Sequence, residues 1–143
     1  MAPESHYEHS FSFTQAQVEG FAQLSGDNNP IHLDEEYAKQ SIFGRRILHG
    51  YLGASVFSKV FGTLFPGHGT IYLKQSLMFL QPMYAEETYT AIFQIIAVNQ
   101  EKSRASVKTS IVNSHKREVV VGEALIQHEI YGKDDANWTG SRR

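Results

Sequence analysis

The sequence predicts an α+β domain in which an antiparallel sheet surrounds one long apolar helix. Three observations support this fold class. Helical periodicity dominates the first half of the chain, strand-like runs dominate the second half, and the most apolar helical segment, at about residues 47–61, lies between them. A helix that is apolar around most of its circumference must be covered on several sides, and a sheet wrapped around it provides that cover.

Length and composition restrict the possible functions. The chain has 143 residues, and we expect residues 1–132 to form a single domain and residues 133–143 to form a flexible C-terminal tail. A net charge of −2 supplies no positive field that would gather nucleic acid. The chain has no cysteine, begins with a polar segment unlike a secretory signal, and has no apolar run as long as the ~20 residues of a membrane span. We therefore expect a cytoplasmic protein that binds neither nucleic acid nor membrane.

Two short helices are predicted before the apolar one. Thr14, followed three residues later by Gln17, forms a capping-box pattern that predicts a helix over residues 14–24. A second helix is predicted over residues 34–40, which begin with an aspartate that can cap free amides. The segment between them, residues 26–32, consists largely of turn-forming residues.

Two glycines lie in the predicted central helix. Gly50 and Gly53 weaken this helix by about 1 kcal/mol each relative to alanine, so we expect close packing or a close ligand there.

The second half of the chain is predicted to form a meander of antiparallel strands. Four strand-like runs follow, separated by polar turns: Thr70–Gln81, Glu87–Val98, Arg104–Val112 and Arg117–Tyr131. One such sheet leaves an edge open, and pairing two edges predicts a homodimer.

Asp27 and His32 are the first candidate site. A bend in their proline-containing loop can turn both side chains into one pocket, where an aspartate and a histidine can divide two protonation states near neutral pH. The alternative is that Asp27 stabilises a turn and His32 caps a helix or faces solvent.

His49 and Gly50, at the start of the central helix, are the second candidate. Free amides at a helix N-terminus stabilise developing negative charge, and glycine lets a ligand approach the backbone. The alternative is an ordinary helix start beside a hydrogen-bonded histidine. No histidine pair has a metal-binding spacing, so we predict no metal site.

Three segments carry a resemblance to a known family: Leu24–His32 (LSGDNNPIH), Ile47–Gly50 (ILHG) and Ile71–Leu77 (IYLKQSL). Together they resemble the MaoC-like hot-dog family, particularly its short (R)-specific enoyl-CoA hydratases. The resemblance covers about residues 11–130 and departs from the family at Asn28, where larger apolar residues often stand.

The resemblance implies a hot-dog fold and reversible addition of water to a trans-2-enoyl-CoA to give the (3R)-3-hydroxyacyl thioester. Asp27 and His32 would activate the water and return a proton to the α-carbon, and the Gly50 amide would bind the thioester oxygen. Ser58 would line the site and orient Asp27, and Asn29 and His49 would support the site or bind substrate. The acyl thioester is a substrate, and no cofactor is required.

Three alternatives remain open at this stage. A 3-hydroxyacyl-carrier-protein dehydratase would use the same residues, and the cations Arg45, Arg46, Lys59 and Lys74 could meet the phosphates of either carrier. A hot-dog thioesterase would hydrolyse the thioester instead, but does not generally carry this Asp/His loop. A non-catalytic acyl-thioester-binding protein would need neither Asp27 nor His32.

Overall fold

The computed structural model describes residues 5–132, and within them six strands form one antiparallel sheet. The elements in chain order are β1 (His6–Phe11), α1 (Gln15–Ser25), α2 (Pro30–Leu33), α3 (Glu35–Lys39), α4 (Gly50–Thr63), β2 (Ile71–Gln75), β3 (Met78–Phe79), β4 (Tyr89–Asn99), β5 (Arg104–Val112), β6 (Glu118–Gln127) and a 3-10 helix (Glu129–Tyr131). The strand order is β1-β4-β5-β6-β2, and β3 also pairs with β6. The tail predicted over residues 133–143 lies outside the described residues.

The apolar helix α4 forms the centre of the core. Phe57 and Val60 are fully buried, and the rings of Phe57 and Phe61 meet Phe93 of β4 nearly edge-on, at centroid distances of 5.7 and 5.2 Å. Such aromatic pairs stabilise a core by about 0.5–1.5 kcal/mol beyond the area they bury. Strands β5 and β6 add further fully buried side chains: Val107, Ile111, Val119, Val120 and Ile126. The predicted sheet around a central helix is confirmed.

The central helix begins at Gly50, later than predicted. Ile47 and Leu48 fit the helical period, but long-range hydrogen bonds hold them outside the helix. The N–H of Ile47 donates to the carbonyl of Ile31 at 3.2 Å, and the N–H of Leu48 donates to that of Met83 at 2.8 Å. This shift places the free N-terminal amides of α4 beside the loop that carries the first candidate site.

The predicted strand over residues 70–81 is interrupted at Ser76 and Leu77, which separate β2 from β3. The N–H of Ser76 donates to the carbonyl of Glu123 at 2.9 Å, and a Cβ on Gly122 would lie 1.9 Å from the carbonyl oxygen of Ser76. Only glycine leaves room for this close approach of two backbones.

The N-terminal part of the chain contains the predicted helix α1 and, before it, the strand β1. Both hydrogen bonds of the capping box at Thr14 are present, and Gly26 ends α1 with a φ of 83°. Strand β1 was not predicted, and it pairs with β4 so that Phe11 lies opposite Tyr89. Within residues 5–132 we find no helix with the length and apolar character needed to cross a membrane.

Candidate active site

The loop after α1 places the carboxylate of Asp27 at the mouth of a cavity. Gly26 turns the chain with a left-handed backbone, and the N–H of Asp27 then donates to the hydroxyl of Ser25 at 3.1 Å. The carboxylate accepts a long hydrogen bond of 3.4 Å from the N–H of Asn29, so the turn expected from these residues is present. The Asp27 side chain nevertheless lines the cavity.

A single helical turn, α2, carries His32 into the same cavity. Asn29 caps this turn by accepting a hydrogen bond from the N–H of Ile31 at 3.2 Å, and Pro30 occupies its first position. Gln15 of α1 donates its side-chain amide to the carbonyl of His32 at 2.9 Å. The backbone of His32 is thereby fixed from two sides, and its side chain is buried.

The hydrogen bonding of His32 leaves one ring nitrogen available for chemistry. Nδ1 lies 2.9 Å from the carbonyl of Ile47, and because a carbonyl only accepts, Nδ1 carries the hydrogen in the neutral ring. Burial lowers the pKa of His32 below its ordinary value of 6.5, although the hydrogen bond to Ile47 and the nearby Asp27 act in the opposite direction. His32 is therefore neutral at pH 7, with a lone pair on Nε2 that can accept a proton.

His49 and Gly50 form the opposite side of the site. His49 is the N-cap of α4 and its carbonyl accepts the N–H groups of Leu52 and Gly53 at 3.1 and 3.2 Å. Within the described residues, the N–H groups of Gly50 and Tyr51 have no acceptor. The positive end of a helix of 14 residues therefore faces the cavity with unpaired donors.

These groups meet in one largely apolar cavity of about 580 Å³. A carboxylate oxygen of Asp27 and one ring nitrogen each of His32 and His49 all lie within 4.8 Å of one another, and Gly50 lines the same space. The rest of the lining is mainly apolar, and its larger apolar side chains are Phe21, Phe43, Ile47, Leu48, Phe79, Leu80, Pro82 and Met83. The cavity combines an acid/base pair, free backbone donors and an apolar lining.

Two other predicted site residues lie outside this cavity. Ser58 lines a second concavity of about 290 Å³ and not the cavity of Asp27, because about two helical turns separate it from Gly50. Asn29 is exposed and its side chain is used to cap α2. The described chain therefore unites Asp27, His32, His49 and Gly50, and leaves Ser58 and Asn29 apart from them.

The distances among Asp27, His32 and His49 also raise the question of a metal ion. The two imidazole rings are stacked, with centroids 3.9 Å apart and planes 27° apart. A nitrogen lone pair lies in the plane of its ring, so two stacked rings cannot both point at one ion at the usual distance of ~2.0–2.1 Å. The geometry fits proton transfer better than metal ligation.

The model of the MaoC-like domain family matches residues 2–118. The chain belongs to this family. It is 41% identical over 115 residues to an (R)-specific enoyl-CoA hydratase of Aeromonas caviae, which is 80% of this chain and 86% of that protein. It is 35% identical to a mitochondrial 3-hydroxyacyl-[acyl-carrier-protein] dehydratase of Arabidopsis thaliana, over 78% of this chain and 68% of that protein.

Solved structures agree with the family assignment. The (R)-hydratase from A. caviae involved in PHA biosynthesis superposes with a TM-score of 0.85 and 38% identity, covering 90% of this MaoC-like chain and 97% of that one. The R-hydratase PhaJ1 from Pseudomonas aeruginosa gives a TM-score of 0.82 and 34% identity, with 90% and 81% covered. The hot-dog fold is confirmed.

Several residues of the site were not predicted from the sequence. Gln15 fixes the backbone of His32, the carbonyl of Ile47 fixes its tautomer, and Phe79 packs against Gly50. Their positions depend on the packing of distant segments, and no spacing in the sequence marks them.

Proposed function

We propose that this MaoC-like protein is an (R)-specific enoyl-CoA hydratase, which adds water reversibly to a trans-2-enoyl thioester to give the (3R)-3-hydroxyacyl thioester. The observation that carries the proposal is that Asp27, the free nitrogen of His32 and the amides at the start of α4 line one apolar cavity. Relatives named as hydratases and dehydratases support this reaction class.

Asp27 and His32 supply the proton transfers. A water molecule between them can donate one hydrogen to the Asp27 carboxylate and the other to Nε2 of His32, because a carboxylate oxygen and the unprotonated ring nitrogen both accept hydrogen bonds. As its oxygen attacks C3 of the enoyl group, one of the pair takes a proton and then delivers it to C2. The reaction consumes one water, leaves the site in its starting protonation state and needs neither a metal nor a redox cofactor.

The start of α4 stabilises the charge that develops on the thioester. Attack at C3 moves electron density to the thioester oxygen, where the N–H of Gly50 and the helix dipole are favourable partners. In a protease that catalyses acyl transfer, one oxyanion-hole donor contributes about 2.7–4 kcal/mol. Residue 50 must be small, because a Cβ there would lie 2.7 Å from the ring of Phe79. Without a side chain, glycine also leaves its backbone N–H open to the thioester.

Incubation with crotonyl-CoA tests the proposal. Enoyl-thioester absorbance and free thiol are followed together, and the hydroxyacyl product is analysed on a chiral column. We expect loss of the enoyl signal without thiol release and a 3R product. Thiol release would identify a thioesterase, and unchanged signals with crotonyl-CoA and with longer enoyl chains would contradict the hydratase.

A 3-hydroxyacyl-carrier-protein dehydratase is the second candidate, supported by the relative from A. thaliana. Two of the cations that could meet a carrier phosphate do not distinguish the carriers, because Arg45 pairs with Glu87 and Arg46 pairs with Glu35. Comparing kcat/KM for crotonyl-CoA and a crotonyl-carrier protein separates the two. A preference above tenfold for the carrier protein would favour the dehydratase.

A homodimer is part of the proposal. The edge formed by β2, β3 and the next residue exposes large apolar side chains, each between 37% and 61% accessible: Ile71, Tyr72, Leu73, Met78, Phe79 and Leu80. An open, apolar sheet edge favours pairing with a second copy.

A cytoplasmic location is also proposed. It is compatible with a chain that has no cysteine and can be tested by cell fractionation.

A further inference from the structure

His49 has the most unusual surroundings of the buried polar side chains in the described part of the chain. It is 2% exposed, and its Nδ1 has no hydrogen-bond partner within that part. Its Nε2 lies 2.9 Å from the backbone carbonyl of Asp27, so Nε2 carries the hydrogen in the neutral ring and Nδ1 holds a lone pair. Leaving a buried polar atom unpaired is costly, so an aromatic or aliphatic residue would be preferred here if packing alone mattered.

The hydrogen bond from His49 is the long-range anchor of Asp27. The other hydrogen bonds of Asp27 run to Ser25 and Asn29, its neighbours in the turn. These local bonds shape the turn but do not fix it relative to the rest of the cavity. The bond from His49 joins the turn directly to the first residue before α4, whose amides line the site.

The ring of His49 also fixes the second member of the pair. It stacks on the ring of His32 with a centroid distance of 3.9 Å, and the edge of Phe21 packs against it at 4.8 Å. The hydrogen bond to Ile47 holds one edge of the His32 ring, and the stack restricts motion perpendicular to that ring. Together these contacts restrain the His32 ring both in its own plane and perpendicular to it.

We propose that His49 is a positioning residue that holds Asp27 by a backbone hydrogen bond and His32 by ring stacking, so that both face one water molecule. This inference rests on the proposed hydratase function. It explains why a histidine with an unpaired nitrogen occupies this buried position: glutamine would supply the donor without the ring, and phenylalanine would supply the ring without the donor.

Two variants separate the contributions, and a third serves as a matched control. His49→Phe removes the donor to Asp27, and His49→Gln keeps a donor near the position of Nε2. His128→Phe is the control, because His128 is also buried and also donates to a backbone carbonyl, that of His68 at 2.8 Å, yet does not line the cavity. For each variant we would measure kcat and KM with crotonyl-CoA and the melting temperature.

We expect His49→Phe to lower kcat by about 10- to 100-fold with KM changed less than threefold, because a displaced catalytic group costs up to about 10²-fold. His49→Gln should recover at least part of that loss, and His128→Phe should lower the melting temperature while kcat stays near that of the wild type. Equal losses of kcat in His49→Phe and His128→Phe, or a wild-type kcat in His49→Phe, would overturn the proposal.

Hydrogen exchange measured by mass spectrometry provides a test that does not depend on activity. The peptide spanning residues 25–32 should exchange faster in His49→Phe than in the wild type and in His49→Gln, because the turn has lost its anchor. Unchanged exchange in His49→Phe would contradict the positioning role. If the wild-type protein hydrates no enoyl-CoA but His49→Phe still shows the faster exchange, the proposed function is contradicted and the positioning role of His49 is supported.

Discussion

Replacing Gly122 by alanine should damage both the sheet edge and the cavity wall. A Cβ at this position would lie 1.9 Å from the carbonyl oxygen of Ser76 and 2.8 Å from its carbonyl carbon, and neither atom belongs to a flexible side chain. Ordinary contact begins at 3.4 Å, so the two backbones must separate by about 1.5 Å. The strand that is pushed away leads directly into Phe79 and the other wall residues that follow it.

The cost of this separation can be worked out from the bonds that it breaks. The N–H of Ser76 donates to the carbonyl of Glu123, and the N–H of Glu123 donates to the hydroxyl of Ser76, both at 2.9 Å. Losing these bonds costs about 0.5–1.5 kcal/mol each, and the residual strain of overpacking adds about 1–3 kcal/mol. We expect Gly122→Ala to lower the free energy of unfolding by about 2–6 kcal/mol, and the melting temperature by roughly 6–20 °C.

Thermal unfolding followed by circular dichroism measures this effect, and Gly20→Ala is the matched control. Gly20 is exposed on α1, and no atom lies within 4 Å of the position that a Cβ would take there. Alanine there should raise stability by about 0.5–1 kcal/mol through helix propensity. A Gly122→Ala protein that melts within 2 °C of the wild type would refute the reasoning from this contact.

Three further predictions concern the site and the edge. As the pH is lowered, kcat/KM should begin to fall only below pH 6.5. His32 acts in its unprotonated form, and burial lowers its pKa below 6.5, so activity is lost as the pH falls through that lowered pKa. An apparent pKa of 6.5 or above for this loss of activity would contradict the prediction. Met78→Lys should give a monomer in light scattering, because it places a charge on the exposed sheet edge that is proposed to form the dimer. Ile96→Lys is the control and should stay dimeric, because Ile96 is also exposed, at 52% against 61% for Met78, but lies on β4. Ser58→Ala should keep kcat for crotonyl-CoA within about threefold of the wild type, because Ser58 lines the other concavity. A loss above tenfold would support the role in orienting Asp27 that the sequence predicts.

Local signals predicted much of the fold. The capping box at Thr14 and the alternation along β5 depend on neighbouring residues, and both elements have nearly the predicted bounds. Strand β1 was missed although its residues alternate between exposed and half-buried, because its partner β4 is remote in sequence. The start of α4 was predicted too early, since long-range hydrogen bonds outweigh the helical pattern at Ile47 and Leu48.

The residues of the candidate site were also predicted only where local sequence indicates them. Asp27 and His32 could be predicted as candidates because they lie five residues apart in one segment of turn-forming residues, and Gly50 because it begins a helix. The role of His49 could not be predicted in detail, since its contacts with Asp27 and His32 arise only when α4 packs against the loop. The cavity walls after β3 come from a distant segment and have no local signal.

The central claim is that Asp27 and His32 act together as the acid/base pair. Crotonyl-CoA turnover by Asp27→Asn, by His32→Ala and by the double variant tests it most directly, with melting temperatures to show that each protein is folded. We predict a loss of at least about 100-fold in kcat for each single variant, and little further loss in the double variant, because residues that act as a unit are not additive. A folded single variant that keeps more than a tenth of the wild-type kcat would contradict the claim.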